Sequence, residues 1–260
     1  MTSWTDIHAH LNMLEISVDE ALAEAKAQGI EQLITICTNS EDIDYVLETA
    51  KNYFPRVACS VGVHPHDAKD WNQEIKNKIQ ANVDKDYVVC LGEMGLDYFY
   101  ENSPIEQQKK AFREQLELAL KHDLPVQIHT RDAEEDTIEI LKSFNSPFKG
   151  VIHCFTGTSF LRDESLKLGL DISISGIVTF KSAKDLREVI SEVPLNRMHI
   201  ETDSPFLAPV PMRGKKNQPA FAIHTAEFVA KLKNVPMEVL KEQVRINNQR
   251  TFSKLFASTS

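Results

Sequence analysis

Eight short runs rich in Val, Ile and Leu, each followed by a longer stretch of helical periodicity, constrain this chain more than any other feature. They fall near 3–8, 32–38, 57–63, 87–93, 125–129, 149–153, 170–175 and 197–202. Short apolar runs alternating with helices suit strands of a parallel sheet buried on both faces. Eight strands with a right-handed crossover after each close into a barrel rather than an open sheet. The expected fold is therefore α/β, a (β/α)8 TIM-type barrel forming one domain over residues 1–260. Extra C-terminal helices are expected near 218–232 and 236–256. Punctuation agrees: Ser17 with Glu20 and Ser103 with Glu106 have capping-box spacing, and Pro104 suits a first helical position. Gly29 and Gly169 stand where helices stop before the next strand.

Composition narrows the setting. With 42% apolar and 26% charged residues, the chain can build a large core without disulfides. Its four cysteines form no Cys-x-x-Cys pair, which argues against a zinc knuckle or redox motif and for a reduced, cytoplasmic location. No apolar run approaches the ~18 residues of a membrane span, and residues 1–10 read as a strand rather than a signal peptide. No membrane association and no obligate protein partner is expected. A formal net charge of -9 speaks against broad electrostatic attraction to nucleic acid. A polyanionic substrate would need local cations, supplied by bound metals and by the basic run Arg213, Lys215 and Lys216.

Chemistry gathers at the strand ends, which read DIHAH, GVHPHD, LGEMGLD, VQIHTRD, VIHCF and HIETDSP. In a barrel these ends converge on one face, where active sites lie. Residues two apart on a strand share a side, so His8 points with His10, Gln127 with His129 and Arg131, and Glu201 with Asp203. The imidazoles of His8, His10, His129 and His153 with the carboxylates of Glu93 and Asp203 suit divalent ions that accept nitrogen and oxygen. Isolated histidines more often serve a core hydrogen bond, and His122, His199 and His224 are read that way. His66 is read as capping the loop after Pro65. By strand parity Cys59, Cys90 and Cys154 should face the helices as small buried hydrophobes.

These motifs resemble the TatD-like metal-dependent deoxyribonucleases, a branch of the amidohydrolase superfamily. DIHAHL, GVHPHDA, GEMGLDY, PVQIHTRDA, HCFTGT, ETDSPFLAP and RGKKNQPA occur in the family's order along essentially the whole chain. The resemblance implies two divalent cations, of magnesium, manganese or zinc. His8, His10, Glu93 and Asp203 would hold one and Glu93, His129 and His153 the other, so that Glu93 bridges them. It also implies His64 as a phosphate contact.

Arg131 emerges on the face of His129, where its guanidinium can grip two phosphate oxygens; the competing reading pairs it with Asp132. Two metals ease deprotonation of a bridging water, and Asp203 is the expected proton acceptor. Asp6 and Glu201 are expected to orient ligands without touching substrate. The leading expectation is a 3′-5′ exodeoxyribonuclease acting on single-stranded DNA ends through a metal-activated hydroxide. Two alternatives stay open: an ester or amide hydrolase, such as a D-aminoacyl-tRNA deacylase on the same site, and a catalytically silent protein that holds nucleic-acid ends.

Overall fold

In the computed structural model, residues 3–257 are described, so the outermost residues of the 1–260 span lie outside the described residues. Eight parallel strands pair in chain order: β1 Trp4–Ala9, β2 Ile30–Thr35, β3 Val57–Val61, β4 Val88–Asp97, β5 Val126–Arg131, β6 Gly150–Ile152, β7 Asp171–Ile174 and β8 Met198–Ile200. Each is followed by a helix: α1 Val18–Ala27, α2 Asp42–Tyr53, α3 Gln73–Gln80, α4 Ile105–Lys121, α5 Glu134–Lys142, α6 Ser159–Lys167, α7 Lys184–Ser191 and α8 Ala222–Leu232. Two more, α9 Met237–Thr251 and α10 Ser253–Ala257, complete the described chain. This is the expected barrel with its extra C-terminal helices. Among the described residues no helix is long and apolar enough to cross a membrane.

Closure occurs just beyond β8. Ala9 and Ser204 form a parallel bridge, the Asp203 amide donates to the His8 carbonyl (3.0 Å), and the His10 amide donates to the Ser204 carbonyl (2.8 Å). These bonds seat three of the expected ligands side by side.

The core has two parts. The larger lies between strands and helices and includes Leu33, Val57, Leu91, Phe112, Leu116 and Ile128. Ile7, Ile34, Ala58, Cys90 and Val151, from five strands, pack instead with one another and with Phe252 and Leu255. They fill the barrel interior, and Phe252 and Leu255 at the end of the chain plug it. Burial of such side chains contributes about 1.5–3 kcal/mol each, so the barrel stands on apolar packing with the site above it.

Ser17 caps α1 by accepting the Glu20 amide (3.2 Å), as its spacing predicts. Ser103 does not cap α4: its hydroxyl donates to the His66 carbonyl and accepts the Lys69 amide, and Pro104 takes the cap position with no side-chain bond. Tertiary partners across the β3 and β4 loops outcompete the local cap. Gly29 and Gly169 adopt φ of 77° and 94°, the left-handed conformation of helix ends.

Cysteine parity holds for Cys59, which packs toward the helices, and fails twice. Cys90 lies inside the barrel against Gln127, because a register shift between Leu91 and Met94 breaks the two-residue alternation between Cys90 and Glu93. Cys154 lies past the end of β6 with φ of 43° and lines the mouth, where strand parity no longer applies.

Candidate metal centre

A cavity of about 680 Å³ opens at the C-terminal ends of the strands. Its floor is a cluster of imidazoles around Glu93, which is 3% exposed. Gly95 makes room for this cluster: at φ of 146°, a Cβ there would collide with the His129 carbonyl, so only glycine lets β4 and β5 approach here.

Three of the four expected ligand histidines, His8, His129 and His153, each have one ring nitrogen held by a neighbour, whereas His10 Nδ1 is buried without a hydrogen-bond partner among the described residues. Gln127 donates its amide to the Ile7 carbonyl (2.8 Å), which turns its Oε1 toward His8 Nδ1 (2.6 Å). His153 Nδ1 meets Glu201 Oε1 at 3.0 Å, and His129 Nε2 meets Asp97 Oδ2 at 3.0 Å. A neutral imidazole has one N–H, and these acceptors claim it. The opposite nitrogens therefore present lone pairs to the carboxylate of Glu93: His153 Nε2 at 3.1 Å, His129 Nδ1 at 2.9 Å and His8 Nε2 at 3.5 Å. Lone pair against carboxylate is repulsive unless a proton or a cation lies between.

Donor spacing fits a cation. His8 Nε2 and His10 Nε2 lie 3.8 and 3.3 Å from Asp203 Oδ1 and 3.5 and 4.0 Å from Glu93 Oε2. Two ligands about 2.0–2.1 Å from one tetrahedral ion sit roughly 3.4 Å apart. His8 Nε2 is buried and makes no hydrogen bond, which a resident ion would remedy. The donors of His8, His10 and Asp203 form one compact group, those of His64, Glu93 and His129 a second, and those of His8, His153 and Glu201 a third, so His64 takes the place beside Glu93 and His129 that the resemblance gives to His153.

Without a cation the cluster holds protons. Burial lowers the pKa of His153, but Glu93 and Glu201 outweigh it and raise it well above the usual imidazole range. His129 is likewise raised, by hydrogen bonds to Asp97 and Glu93 that overcome burial. Burial opposes ionisation of Glu93, yet His153, His64 and His129 hold its carboxyl well below the ordinary value. For Asp203 too, the hydrogen bond from His10 and the nearby His153 overcome burial and lower the pKa.

His64 differs from the other four. Its Nδ1 accepts the His66 amide (3.1 Å), so the neutral ring carries its proton on Nε2, 3.3 Å from Glu93 Oε1. Burial pushes its pKa down to about 4 against the pull of Glu93. His64 is thus a neutral donor rather than a lone-pair ligand. It also performs the capping assigned to His66, because its own ring accepts from the turn; His66 reaches across to Asp97 Oδ2 at 3.1 Å.

The two carboxylates expected to orient ligands have different partners. Glu201 bonds the His153 ring directly and also accepts the Cys154 amide (2.6 Å) and the Ser173 hydroxyl. Asp6 touches no ring: it accepts the amides of His8 and Thr202 and the Thr202 hydroxyl, tying β1 to the β8 end. Burial pushes its pKa up to about 7 despite the Thr202 hydrogen bonds.

Arg131 lines the cavity, and its guanidinium lies 3.8 Å from the Phe99 ring centre and 4.8 Å from that of Tyr100, not in an ion pair with Asp132. The basic run does not join it. Arg213 stacks on Phe180 at 3.9 Å and Lys216 pairs with exposed Glu15, both outside the cavity lining. His199 is a buried core residue bonded to Asn248 and Asp171, as expected. His122 pairs with Asp84 and His224 approaches Glu227, both partly exposed rather than in the core.

Two residues that sequence reasoning passed over prove central. Asp97 fixes His129 and His66 with one oxygen and accepts the Phe99 and Tyr100 amides (3.0 Å each) with the other. Its signal was available, since Glu93, Gly95 and Asp97 alternate along one face of β4. Asn217 donates to the carbonyls of Thr202 (2.8 Å) and Phe206 (2.5 Å) and so clamps the loop that carries Asp203. No local pattern marks it.

A sequence profile of the family described as TatD related DNase matches residues 5–253. The chain is 39% identical over 250 residues to the uncharacterized metal-dependent hydrolase YabD of Bacillus subtilis (strain 168), covering 95% of this chain and 98% of that one. Against the uncharacterized metal-dependent hydrolase YcfH of Escherichia coli (strain K12) it is 38% identical over 254 residues, 95% of this chain and 94% of that one. The crystal structure of YJJV, a TatD homolog from Escherichia coli K12, superposes with a TM-score of 0.91 at 29% identity, over 96% of this chain and 98% of its own. Whole-length similarity and an imidazole–carboxylate cluster suited to divalent ions agree: the chain belongs to the TatD-related DNase family of metal-dependent hydrolases.

Proposed function

We propose that the protein hydrolyses phosphodiester bonds as a 3′-5′ exodeoxyribonuclease that prefers single-stranded DNA ends. Arg131 carries this reading. An arginine at the rim of a metal cavity, with no acid partner among the described residues, keeps its fork of donors free for an anionic ligand. The planar fork matches two phosphoryl oxygens, and His64, whose Nε2–H faces Glu93, lines the cavity wall as the second contact.

Bound by His8, His10, Glu93 and Asp203 and by Glu93, His129 and His153, two divalent cations would supply Lewis acidity toward a phosphoryl oxygen and make water easier to deprotonate. The protein's part is to hold, orient and accept. Asp203 lines the cavity as a carboxylate and takes the proton of the attacking water. Glu201 and Asp97 keep the His153 and His129 rings from rotating. The net charge of -9 favours a strand end entering the mouth over a duplex bound along the surface.

The test is an oligonucleotide labelled at either end and incubated with metal-loaded protein. The expected result is stepwise release of mononucleotides from the 3′ end, slower on duplex and abolished by Asp203→Asn, whose amide cannot take the proton. Intact oligonucleotides together with cleavage of a D-aminoacyl-tRNA ester would replace the nuclease reading. Binding of DNA ends without turnover in every metal-loaded form would show a silent binder.

A further inference from the structure

Three large aromatic side chains at or beside the cavity stay open to solvent: Tyr100 and Phe206 line it, and Phe99 lies next to it against Arg131. Phe99 and Tyr100 are each 54% exposed and Phe206 is 50% exposed. They belong to opposite sides of the site. Tyr100 packs edge-on to His66 (5.4 Å) on the β4 side, and Phe206 packs edge-on to His10 (5.9 Å) on the β8 side.

The backbone that carries these rings is held by hydrogen bonds. The Phe99 and Tyr100 amides donate to Asp97 Oδ1, the carboxylate that holds His129. The Phe206 amide donates to the Asp203 carbonyl (2.9 Å), and Asn217 clamps its own carbonyl. Phe99 and Tyr100 meet edge to face at 4.8 Å, with the Arg131 guanidinium against both. Rings carried on the backbone of the site residues, yet left half uncovered, pack little and contribute little to the core. Their geometry is that of platforms for a flat ligand.

We propose that Phe99 with Tyr100 on one wall, and Phe206 on the other, stack the unpaired bases of a single strand whose terminal diester lies between Arg131 and the imidazole cluster. This rests on the phosphodiester reading above. Every base offers a π-face to such rings, so stacking selects unpaired over paired strands without selecting sequence. Arg131 joins the two functions, since the guanidinium that packs on Phe99 also reaches for the phosphate next to the stacked base. In a duplex both faces of a base are already covered by its neighbours and its partner strand fills the mouth, so single-strand preference follows from the walls.

The experiment compares two single-stranded oligonucleotides of equal length, one normal and one abasic at its two 3′-terminal positions. For the unaltered protein, kcat/KM should fall roughly 10- to 100-fold on the abasic strand. In Phe99→Ala and Phe206→Ala, both checked for metal content, that penalty should shrink toward unity because the normal strand has lost its platform. If the unaltered protein cleaves both strands equally well, the stacking walls are overturned while the nuclease reading stands. If the abasic penalty survives undiminished in both variants, the bases are read elsewhere and the proposal falls. If neither oligonucleotide is cleaved, the phosphodiester reading and the walls fall together.

Discussion

The rings of His8 and His153 lie face to face, with centroids 3.6 Å apart and planes 12° from parallel. Gln127 fixes one ring and Glu201 the other, and the two Nε2 atoms then address different oxygens of Glu93: His8 faces Oε2 and His153 faces Oε1. A carboxylate faced on both oxygens by imidazole nitrogens could serve two cations at once, as the expected ligand set requires of Glu93. The purified protein should accordingly bind two divalent ions per chain by elemental analysis under saturating metal. His8→Ala combined with His10→Ala should lower occupancy toward one. Native protein that never exceeds one ion would remove the bridge.

Arg131→Ala should act on chemistry rather than on folding, because the guanidinium makes only rim contacts with Phe99 and Tyr100. The expected loss is about 2–4 kcal/mol in the chemical step on a diester, the size of one preorganised donor. Metal content and thermal stability should be unchanged. Full activity in this variant would exclude Arg131 from substrate binding.

Asp97→Asn should weaken metal binding roughly 10- to 100-fold, as loss of a carboxylate that orients a metal-bound imidazole does. The amide can still accept from one imidazole, but it can no longer serve His129 and His66 as one charged acceptor. Isothermal titration with a divalent ion measures the change. The weakened site should be that of His129, with the His8 and His10 site retained.

A pH effect on stability is expected far from the cavity. Buried Asp171 accepts from His199 (2.9 Å) and pairs with Arg197 and Arg250. Burial would raise its pKa, but the His199 bond and the two arginines lower it from 3.8 to about 2. A depressed carboxylate stabilises the fold above its unfolded value and loses that contribution as pH falls through the folded one. The contribution is about 2 kcal/mol, present above pH 3.8 and lost on acidification toward about pH 2. Asp171→Asn should therefore lower the Tm at neutral pH, and the gap to the unaltered protein should narrow in that acid window.

The pattern of residues along the chain is enough to specify the barrel and the residue types of the site. Eight apolar runs with helices between them have one compact parallel arrangement, and polar residues placed repeatedly at strand ends must meet at its mouth. Period-two alternation also placed His8 with His10 and set Arg131 beside His129, since that spacing is a property of any strand. Where alternation broke, the reading broke. The register shift before Met94 turned Cys90 into the barrel interior, and the chain beyond Ile152 left Cys154 at the mouth. The tertiary structure alone decided which ring nitrogen faces the centre, because Gln127, Glu201 and Asp97 come from other strands to claim the opposite nitrogen. It also decided that His64 donates rather than ligates, that Ser103 serves the β3 loop instead of capping α4, and that Arg213 and Lys216 stay away from the cavity. In each case the deciding partner is distant in sequence or set by a loop. Barrel closure between His8, His10, Asp203 and Ser204 gathers the first ligand group, through backbone hydrogen bonds that no side-chain pattern records.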